Sequence, residues 1–124
     1  MVLINSRTAS AAEIFARVVQ LHQRGTVLGD RSEGSVADIT LYFRWLLNKQ
    51  LQYEISIPQA DYIMPDGKSL EHVGVTPDET VLPTADDIAN GRDPVLARAA
   101  ELLGVKLTPE EAGKLFPADD GRKQ

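Results

Sequence analysis

The sequence predicts an α/β domain, because short apolar runs typical of strands alternate with segments of helical periodicity. Its 124 residues, 43% of them hydrophobic and 25% charged, suit one globular domain. No internal repeat or low-complexity tract divides the chain. Within the single domain we expect an α/β core over residues 1–83, a helical tail over 84–116 and a frayed end over 117–124.

The first elements predict a β-α-β unit. Val2–Ile4 is a continuous apolar run, the pattern of a strand buried on both faces of a parallel sheet. From Ser10 to Arg24 the apolar residues recur at helical spacing, and Gly25 stands where a helix C-cap belongs. Residues 26–29 then predict a second short strand.

The middle of the chain predicts a loop followed by strands. Residues 30–38 are polar and predict the loop, whereas 39–47 fits a strand or a helix equally well. Gln52–Ile57 alternates polar and apolar residues, which predicts a half-exposed strand that ends at Pro58. A further strand is predicted over 61–64, closed by a Pro-Asp-Gly turn.

The tail carries three helix-start signals. Thr84 or Asp86 precedes the first predicted helix. Asp93 as N-cap and Pro94 at the first helical position open a second helix, which is rich in alanine and leucine. The Thr-Pro-Glu-Glu run at 108–111 predicts a last short helix.

Composition excludes several classes of protein. A net charge of -5, with the 13 basic residues scattered, argues against binding to nucleic acid. The absence of cysteine removes disulfides, thiol nucleophiles and thiolate metal sites. No apolar run approaches the ~20 residues of a membrane-spanning helix, and the aspartates do not imitate a metal-binding loop. We therefore expect no cofactor, no metal and no membrane span.

Ser10 lies where the first strand leads into the first helix. Free backbone N–H groups and the positive end of a helix favour developing negative charge there, which suits a nucleophile. Ser10 and Glu13 also have the spacing of a capping box, in which each side chain satisfies the other's backbone amide. The residues alone leave both interpretations open.

Residues 5–14, Asn-Ser-Arg-Thr-Ala-Ser-Ala-Ala-Glu-Ile, resemble the nucleophile segment of the C-terminal-processing (tail-specific) serine peptidases and their tricorn-like branch. The resemblance returns in three further segments, 25–32, 64–71 and 74–78. It implies that Ser10 attacks the scissile carbonyl and that the Ala11 backbone N–H donates to the oxyanion.

The same resemblance bears on the general base. Family members use a lysine in a Gly-Lys-Gly loop after the second strand, or an upstream histidine in the tricorn-like branch. Residues 32–35 read Ser-Glu-Gly-Ser here, so the tricorn-like branch fits better unless Lys49 or Lys68 folds in. That branch implies a base and a second oxyanion donor from upstream sequence. Glu71 resembles its orienting glutamate.

The remaining candidates are two histidines and two arginines. His22 lies twelve residues from Ser10 on one helix, about 18 Å away, so it cannot act as the base. His72 is not excluded by distance, although a solvated loop histidine is the simpler interpretation. Arg7 and Arg31 flank the expected site and could receive a substrate carboxylate, with surface solvation as the alternative.

The resemblance implies a crotonase-like β-β-α layered catalytic core, incomplete at the N-terminus. The expected function is a serine-type peptidase fragment that hydrolyses peptide or protein substrates through a Ser10 acyl-enzyme, inactive by itself. One alternative is a non-catalytic peptide- or ligand-binding module with the same fold, and another is a self-contained domain in which Ser10 only caps a helix. We also expect self-association through the edge of Val2–Ile4. The sequence does not determine the cellular compartment. An extracytoplasmic location would require an export signal upstream of this sequence.

Overall fold

The computed structural model describes residues 1–46 and 51–116. The predicted frayed end at 117–124 lies outside these residues, as does Lys49. The strands and helices are, in chain order, β1 Val2–Ile4, α1 Ala11–Leu21, β2 Val27–Gly29, β3 Asp38–Leu46, β4 Leu51–Ala60, β5 Glu79–Thr80, α2 Ala85–Ala89, α3 Pro94–Leu102 and α4 Pro109–Leu115. This mixture of strands and helices agrees with the expected α/β class.

A three-stranded parallel sheet, in the order β1-β2-β5, forms the centre. Strands β1 and β2 flank helix α1, so the predicted β-α-β unit is present. The central strand β2 is fully buried, whereas β1 pairs, among the described residues, with a strand on one side only. Leu3 on β1 is consequently 43% exposed, and the predicted burial of this strand on both faces is wrong.

Helix α1 ends earlier than predicted, at Leu21. The Arg24 amide donates to the Val19 carbonyl oxygen at 3.0 Å and the Gln23 amide to that of Gln20 at 3.0 Å. Gln23 has φ 50, so these bonds form a Schellman termination with Gln23 in the left-handed position. Gly25, the predicted C-cap residue, lies beyond the helix end.

Strands β3 and β4 form a long antiparallel ribbon. The ambiguous stretch 39–47 is therefore strand as far as Leu46. Strand β4 continues through Pro58, where an end was predicted, because the pairing shifts register opposite this residue and bulges tolerate proline. Every residue of β4 is exposed, which corrects the predicted half burial.

The predicted strand over 61–64 is reduced to a single bridge between Ile63 and Ser69, on either side of the Pro-Asp-Gly turn. The three helix starts of the tail are as predicted. Thr84, Asp93 and Thr108 each accept a hydrogen bond from the backbone amide three residues ahead. Asp86 lies inside α2 and is not its cap.

Side chains from the central sheet, α1 and the following loops form the core. Its buried members are Ile4, Ala16, Val27, Val36, Met64, Leu70 and Val75. The loop over 30–37 and the segment 70–75 thus pack beside the N-terminal end of α1, where Ser10 lies. Across the described ranges, no helix has the length and apolar character that a bilayer span requires.

Candidate active site

Ser10 is the N-cap of α1, and its backbone has φ 57 and ψ -128. Residues with a side chain rarely adopt such angles, which cost about 1–3 kcal/mol and persist only where the surroundings enforce them. Thr84 and Thr108, which cap α2 and α4, have ordinary extended angles instead. A strained serine on a sharp strand-to-helix turn is the backbone geometry of an exposed nucleophile.

The Ser10 hydroxyl is exposed and makes no capping hydrogen bond, although Ser10 and Glu13 have the layout of a capping box. The reciprocal half of that layout is formed, because the Ser10 amide donates to Glu13 Oε2 at 3.0 Å. The same amide lies 2.8 Å from the Ser35 carbonyl oxygen. The backbone of Ser10 is thus held while its hydroxyl stays available.

Glu13 is completely buried and its carboxylate accepts four hydrogen bonds. Oε2 receives the amides of Ser10 and Ser35, each at 3.0 Å. Oε1 receives the Ser32 hydroxyl at 2.5 Å and the Gly34 amide at 2.7 Å. Four donors on two oxygens fill the acceptor capacity of a carboxylate, which explains how this group is tolerated in the core.

Ser32 extends these contacts to the segment 74–78. Its Oγ, which donates to Glu13, accepts the Val75 amide at 2.6 Å. Three residues further on, the Asp78 carboxylate accepts the Val27 amide of β2 at 2.8 Å. The segment is therefore fixed to the Ser10 turn at one end and to the central sheet at the other.

The Ala11 amide belongs to the first residue of α1. Amides in the first turn of a helix have no partner within the helix. In residues 1–46 and 51–116 no oxygen accepts a hydrogen bond from the Ala11 amide. A free donor next to the Ser10 hydroxyl is what the oxyanion of an acyl-transfer reaction requires.

Glu71 lies on the other side of the 32–37 loop. Its Oε2 accepts the amides of Val36 at 2.6 Å and Ala37 at 2.8 Å. The peptide between Ser35 and Val36 therefore bonds Ser10 through its carbonyl and Glu71 through its N–H. Glu71 is one peptide unit away from the Ser10 backbone rather than in contact with it.

The hydrogen bonds from Val36 and then Ala37, with the nearby His72 as a smaller cause, lower the pKa of Glu71 below its ordinary value of 4.5. A carboxylate whose folded-state pKa is lowered stabilises the fold above its unfolded pKa, and the contribution disappears as pH falls through the folded pKa. Wild type should therefore exceed Glu71→Gln in melting temperature near neutral pH, and the gap should close below about pH 4.5. Thermal melts of both proteins between about pH 7 and pH 3 measure this gap.

Gln59→Ala, which removes an exposed uncharged side chain from β4, serves as the control and should differ from wild type by an amount that is constant with pH. Other carboxylates titrate equally in both proteins and cancel in the difference. A gap for Glu71→Gln that is constant with pH would contradict the expected role of its charge.

Glu71 and His72 are adjacent, and their side chains would point to opposite sides of an extended backbone. His72 has φ 58, so the backbone turns there and the two side chains can pair. Its Nε2 lies 3.7 Å from Glu71 Oε1, but the His72 side chain is 90% exposed. His22 follows the last residue of α1, at the opposite end from Ser10, in agreement with the distance argument. No hydrogen bond or ion pair between described residues joins either histidine, or Lys68, to Ser10.

The two arginines differ in their surroundings. Arg31 Nε donates to the Val73 carbonyl oxygen at 2.6 Å, so its guanidinium stabilises the turn after His72. Arg7 is exposed, and its backbone amide donates to Asn5 Oδ1 at 2.9 Å. Within the described part of the chain no group of three or more metal-ligating side chains is found.

Sequence reasoning did not identify the buried role of Glu13 and Ser32. The capping-box spacing did predict the bond from Glu13 to the Ser10 backbone. Nothing in the Ser-Glu-Gly-Ser run indicated that Ser32 would be buried against Glu13. A cleft of about 570 Å³ beside β1 was also unforeseen, with Leu3, Asn5 and Ser6 in its wall.

Residues 1–81 match the family model of peptidase family S41. The chain is 32% identical over 114 residues to a carboxy-terminal-processing protease of Bartonella bacilliformis, covering 92% of the chain and 25% of that protein. It is 33% identical over 101 residues to a protein of Sulfurisphaera tokodaii that is described as a tricorn-like protease C-terminal subunit. This match covers 81% of the chain and 11% of that protein. The chain thus spans a quarter or less of these relatives.

Solved structures give the same picture. The crystal structure of the tricorn protease superposes with a TM-score of 0.70 at 25% identity, over 82% of the chain and 10% of the tricorn chain. The photosystem II D1 C-terminal processing protease superposes with a TM-score of 0.53 at 25% identity, over 88% of the chain and 25% of its own.

Proposed function

The chain belongs to peptidase family S41, and from this membership we propose that it carries the nucleophile of a serine peptidase, Ser10. One observation carries the proposal: a strained, exposed serine at a helix start, with a free hydroxyl beside a free Ala11 amide. A serine that served only as a helix cap would have extended angles and a capping bond, as Thr84 and Thr108 have.

In the proposed reaction Ser10 Oγ attacks the carbonyl carbon of a peptide bond while a general base takes its proton. The carbonyl oxygen becomes an oxyanion, which the Ala11 N–H and the positive end of α1 stabilise. Collapse breaks the C–N bond, and the base returns the proton to the leaving amine. Water then hydrolyses the acyl-enzyme and regenerates the Ser10 hydroxyl.

We place the general base outside residues 1–124, as in the tricorn-like branch that the sequence resembles. Supporting this, both histidines lack a described contact with Ser10, and the 32–35 loop carries no lysine. Glu71 is then the orienting carboxylate through Oε1, which accepts no hydrogen bond from the described residues and lies 3.7 Å from His72 Nε2. The layering around this site is proposed to be crotonase-like.

The proposed substrate is a peptide or protein carboxyl terminus. A relative is named for carboxy-terminal processing, and Arg7 is an exposed cation a few residues from Ser10. Arg31 is a weaker candidate for the same role, because its Nε already donates to Val73. A guanidinium suits a terminal carboxylate because it can bind both oxygens.

Treatment with a fluorophosphonate tests the nucleophile directly. We expect one covalent adduct per chain by intact mass when the chain is extended upstream to supply the base, and none on residues 1–124 alone. The Ser10→Ala variant should lose the adduct completely, because the attacking oxygen is gone. Ser6→Ala, which removes an exposed neighbouring hydroxyl, should keep it.

A second candidate function is a non-catalytic peptide-binding module of the same fold. Two features favour it: the cleft beside β1, and the outer edge of that strand, which no strand of residues 1–46 and 51–116 pairs with. An extended peptide can add to such an edge. An adduct that persists in Ser10→Ala, or no adduct on either form of the wild type, would support this module and overturn the nucleophile.

The same edge leads to the proposed self-association. Leu3 is exposed at the outer edge of β1, so the weight-average mass should rise with concentration in sedimentation equilibrium. Leu3→Glu should suppress the rise, whereas Val73→Glu, at a similarly exposed site, should not. A wild-type chain that stays monomeric at the highest concentration would contradict the proposal.

A further inference from the structure

The core holds one polar pair, Glu13 and Ser32. They are the buried polar side chains of the described residues, at 0% and 5% exposure. Every buried side-chain nitrogen or oxygen in those residues has a partner. A buried carboxylate is costly unless its bonds are complete, so the position and partners of this pair are narrowly determined.

The two oxygens of Glu13 serve different parts of the chain. Oε2 faces the Ser10 turn and the Ser35 amide, and Oε1 faces Ser32 and Gly34. The Ser32 hydroxyl has one proton, which it gives to Glu13, so only its lone pairs remain for the Val75 amide. The bond directions from Val75 through Ser32 to Glu13 are therefore fixed.

Building on the proposed function, we propose that Glu13 and Ser32 form a positioning relay, which holds the Ser10 turn in its strained conformation and couples it to the segment 74–78. Glu13 is a positioning residue, since it acts on the Ser10 backbone and not on substrate. Without its Oε2, the Ser10 backbone could relax toward negative φ. The position of the Ser10 hydroxyl relative to the Ala11 amide would then change.

A glutamine at position 13 tests the division between the two oxygens. Its single carbonyl oxygen can serve the Ser10 side or the Ser32 side, not both. With the oxygen toward Ser10 and Ser35, the amide NH2 can donate to Ser32 Oγ, and the Gly34 amide and the Ser32 hydroxyl proton lose their acceptor. Glu13→Gln should therefore keep much of the Ser10 geometry, whereas Ser32→Ala removes the side-chain link between Glu13 and Val75 and leaves only the backbone bond from the Ser32 amide to the Val75 carbonyl oxygen.

The first measurement is the rate of the fluorophosphonate reaction as a function of probe concentration. This dependence gives the maximal labelling rate and the affinity for the probe separately, and the rate is then corrected for the fraction of folded protein. Ser32→Ala should lower the maximal rate about 10- to 100-fold at unchanged affinity, the scale expected for a small misplacement of a reacting group. Glu13→Gln should fall between it and wild type. Glu33→Gln, at the exposed neighbour of Ser32, should match wild type. A purely structural role would lower the folded fraction only.

The second measurement does not depend on reactivity. Backbone amide resonances of Ser10 and Ala11 report the turn, and Ser32→Ala should shift both by more than Glu33→Gln does. If wild type is never labelled but these resonances shift, the nucleophile proposal fails and the relay stands as a device of the fold. Unchanged Ser10 and Ala11 resonances in Ser32→Ala overturn the relay, whatever the labelling shows.

Discussion

Replacing Glu13 with alanine is expected to lower the free energy of unfolding by about 3–6 kcal/mol. The change leaves three donors without an acceptor, the amides of Gly34 and Ser35 and the hydroxyl of Ser32, whereas the Ser10 amide keeps the Ser35 carbonyl oxygen. Each buried donor left without a partner costs roughly 1–3 kcal/mol, with water in the vacated space recovering part of it. Because domains are stable by about 5–15 kcal/mol, a loss of this size removes a large share of the stability.

Urea denaturation followed by circular dichroism measures this loss. Glu33→Ala provides the control, because Glu33 is an exposed glutamate in the same loop whose carboxylate accepts no hydrogen bond from the described residues. That variant should remain within about 0.5 kcal/mol of wild type. If the two variants lost similar stability, the buried network would not be supporting the fold.

Replacing Gly29 with alanine should be nearly as damaging. Gly29 ends β2 with φ 125, and a Cβ there would lie 2.0 Å from the carbonyl oxygen of Ile4 on β1. The strands would have to separate, and the residue would also occupy angles that favour glycine. Strain and overpacking together predict a cost of about 3–5 kcal/mol in the free energy of unfolding.

Gly67→Ala separates the two causes. Gly67 has φ 76, but a Cβ at this position meets nothing within 4 Å. Its substitution should cost only the backbone strain, about 1–2 kcal/mol. Denaturation midpoints of the two variants, measured side by side, give the steric part as their difference. Equal losses would mean that β1 and β2 adjust to the added methyl group without cost.

The parts of the fold that the sequence predicted correctly depend on neighbours within a few residues. The caps at Thr84, Asp93 and Thr108 are of this kind, because each side chain bonds an amide three positions ahead. The β-α-β unit was predictable because its periodicity and its short connections are local. The end of α1 was misplaced because Gln23, which has no special tendency to adopt positive φ, ends the helix in place of Gly25.

The parts that were missed depend on distant partners. Strand β5 has only two residues, Glu79 and Thr80, and exists because they pair with β2 some fifty residues earlier. The extension of β4 past Pro58 depends on a register shift in its partner strand. Three of the four donors to Glu13 come from 19 to 22 residues downstream, which no local pattern could indicate.

The candidate site was predicted by resemblance more than by physical pattern. Spacing alone did not decide whether Ser10 is a helix cap or a nucleophile. Its assignment as a nucleophile stays a prediction, as do the roles of Ala11 and Glu71. What the structure adds is the positive φ of Ser10 and the absence of a capping bond, neither of which can be derived from residue types.

The backbone angles of Ser10 also bear on the history of this position. A glycine would adopt φ 57 and ψ -128 without a side-chain penalty, and the Ser10 hydroxyl forms no capping bond that its removal would lose. Selection for stability alone would therefore favour glycine here. A protein with serine at this turn is less stable than one with glycine but has the hydroxyl. Such a loss of stability is expected at positions where activity and stability compete.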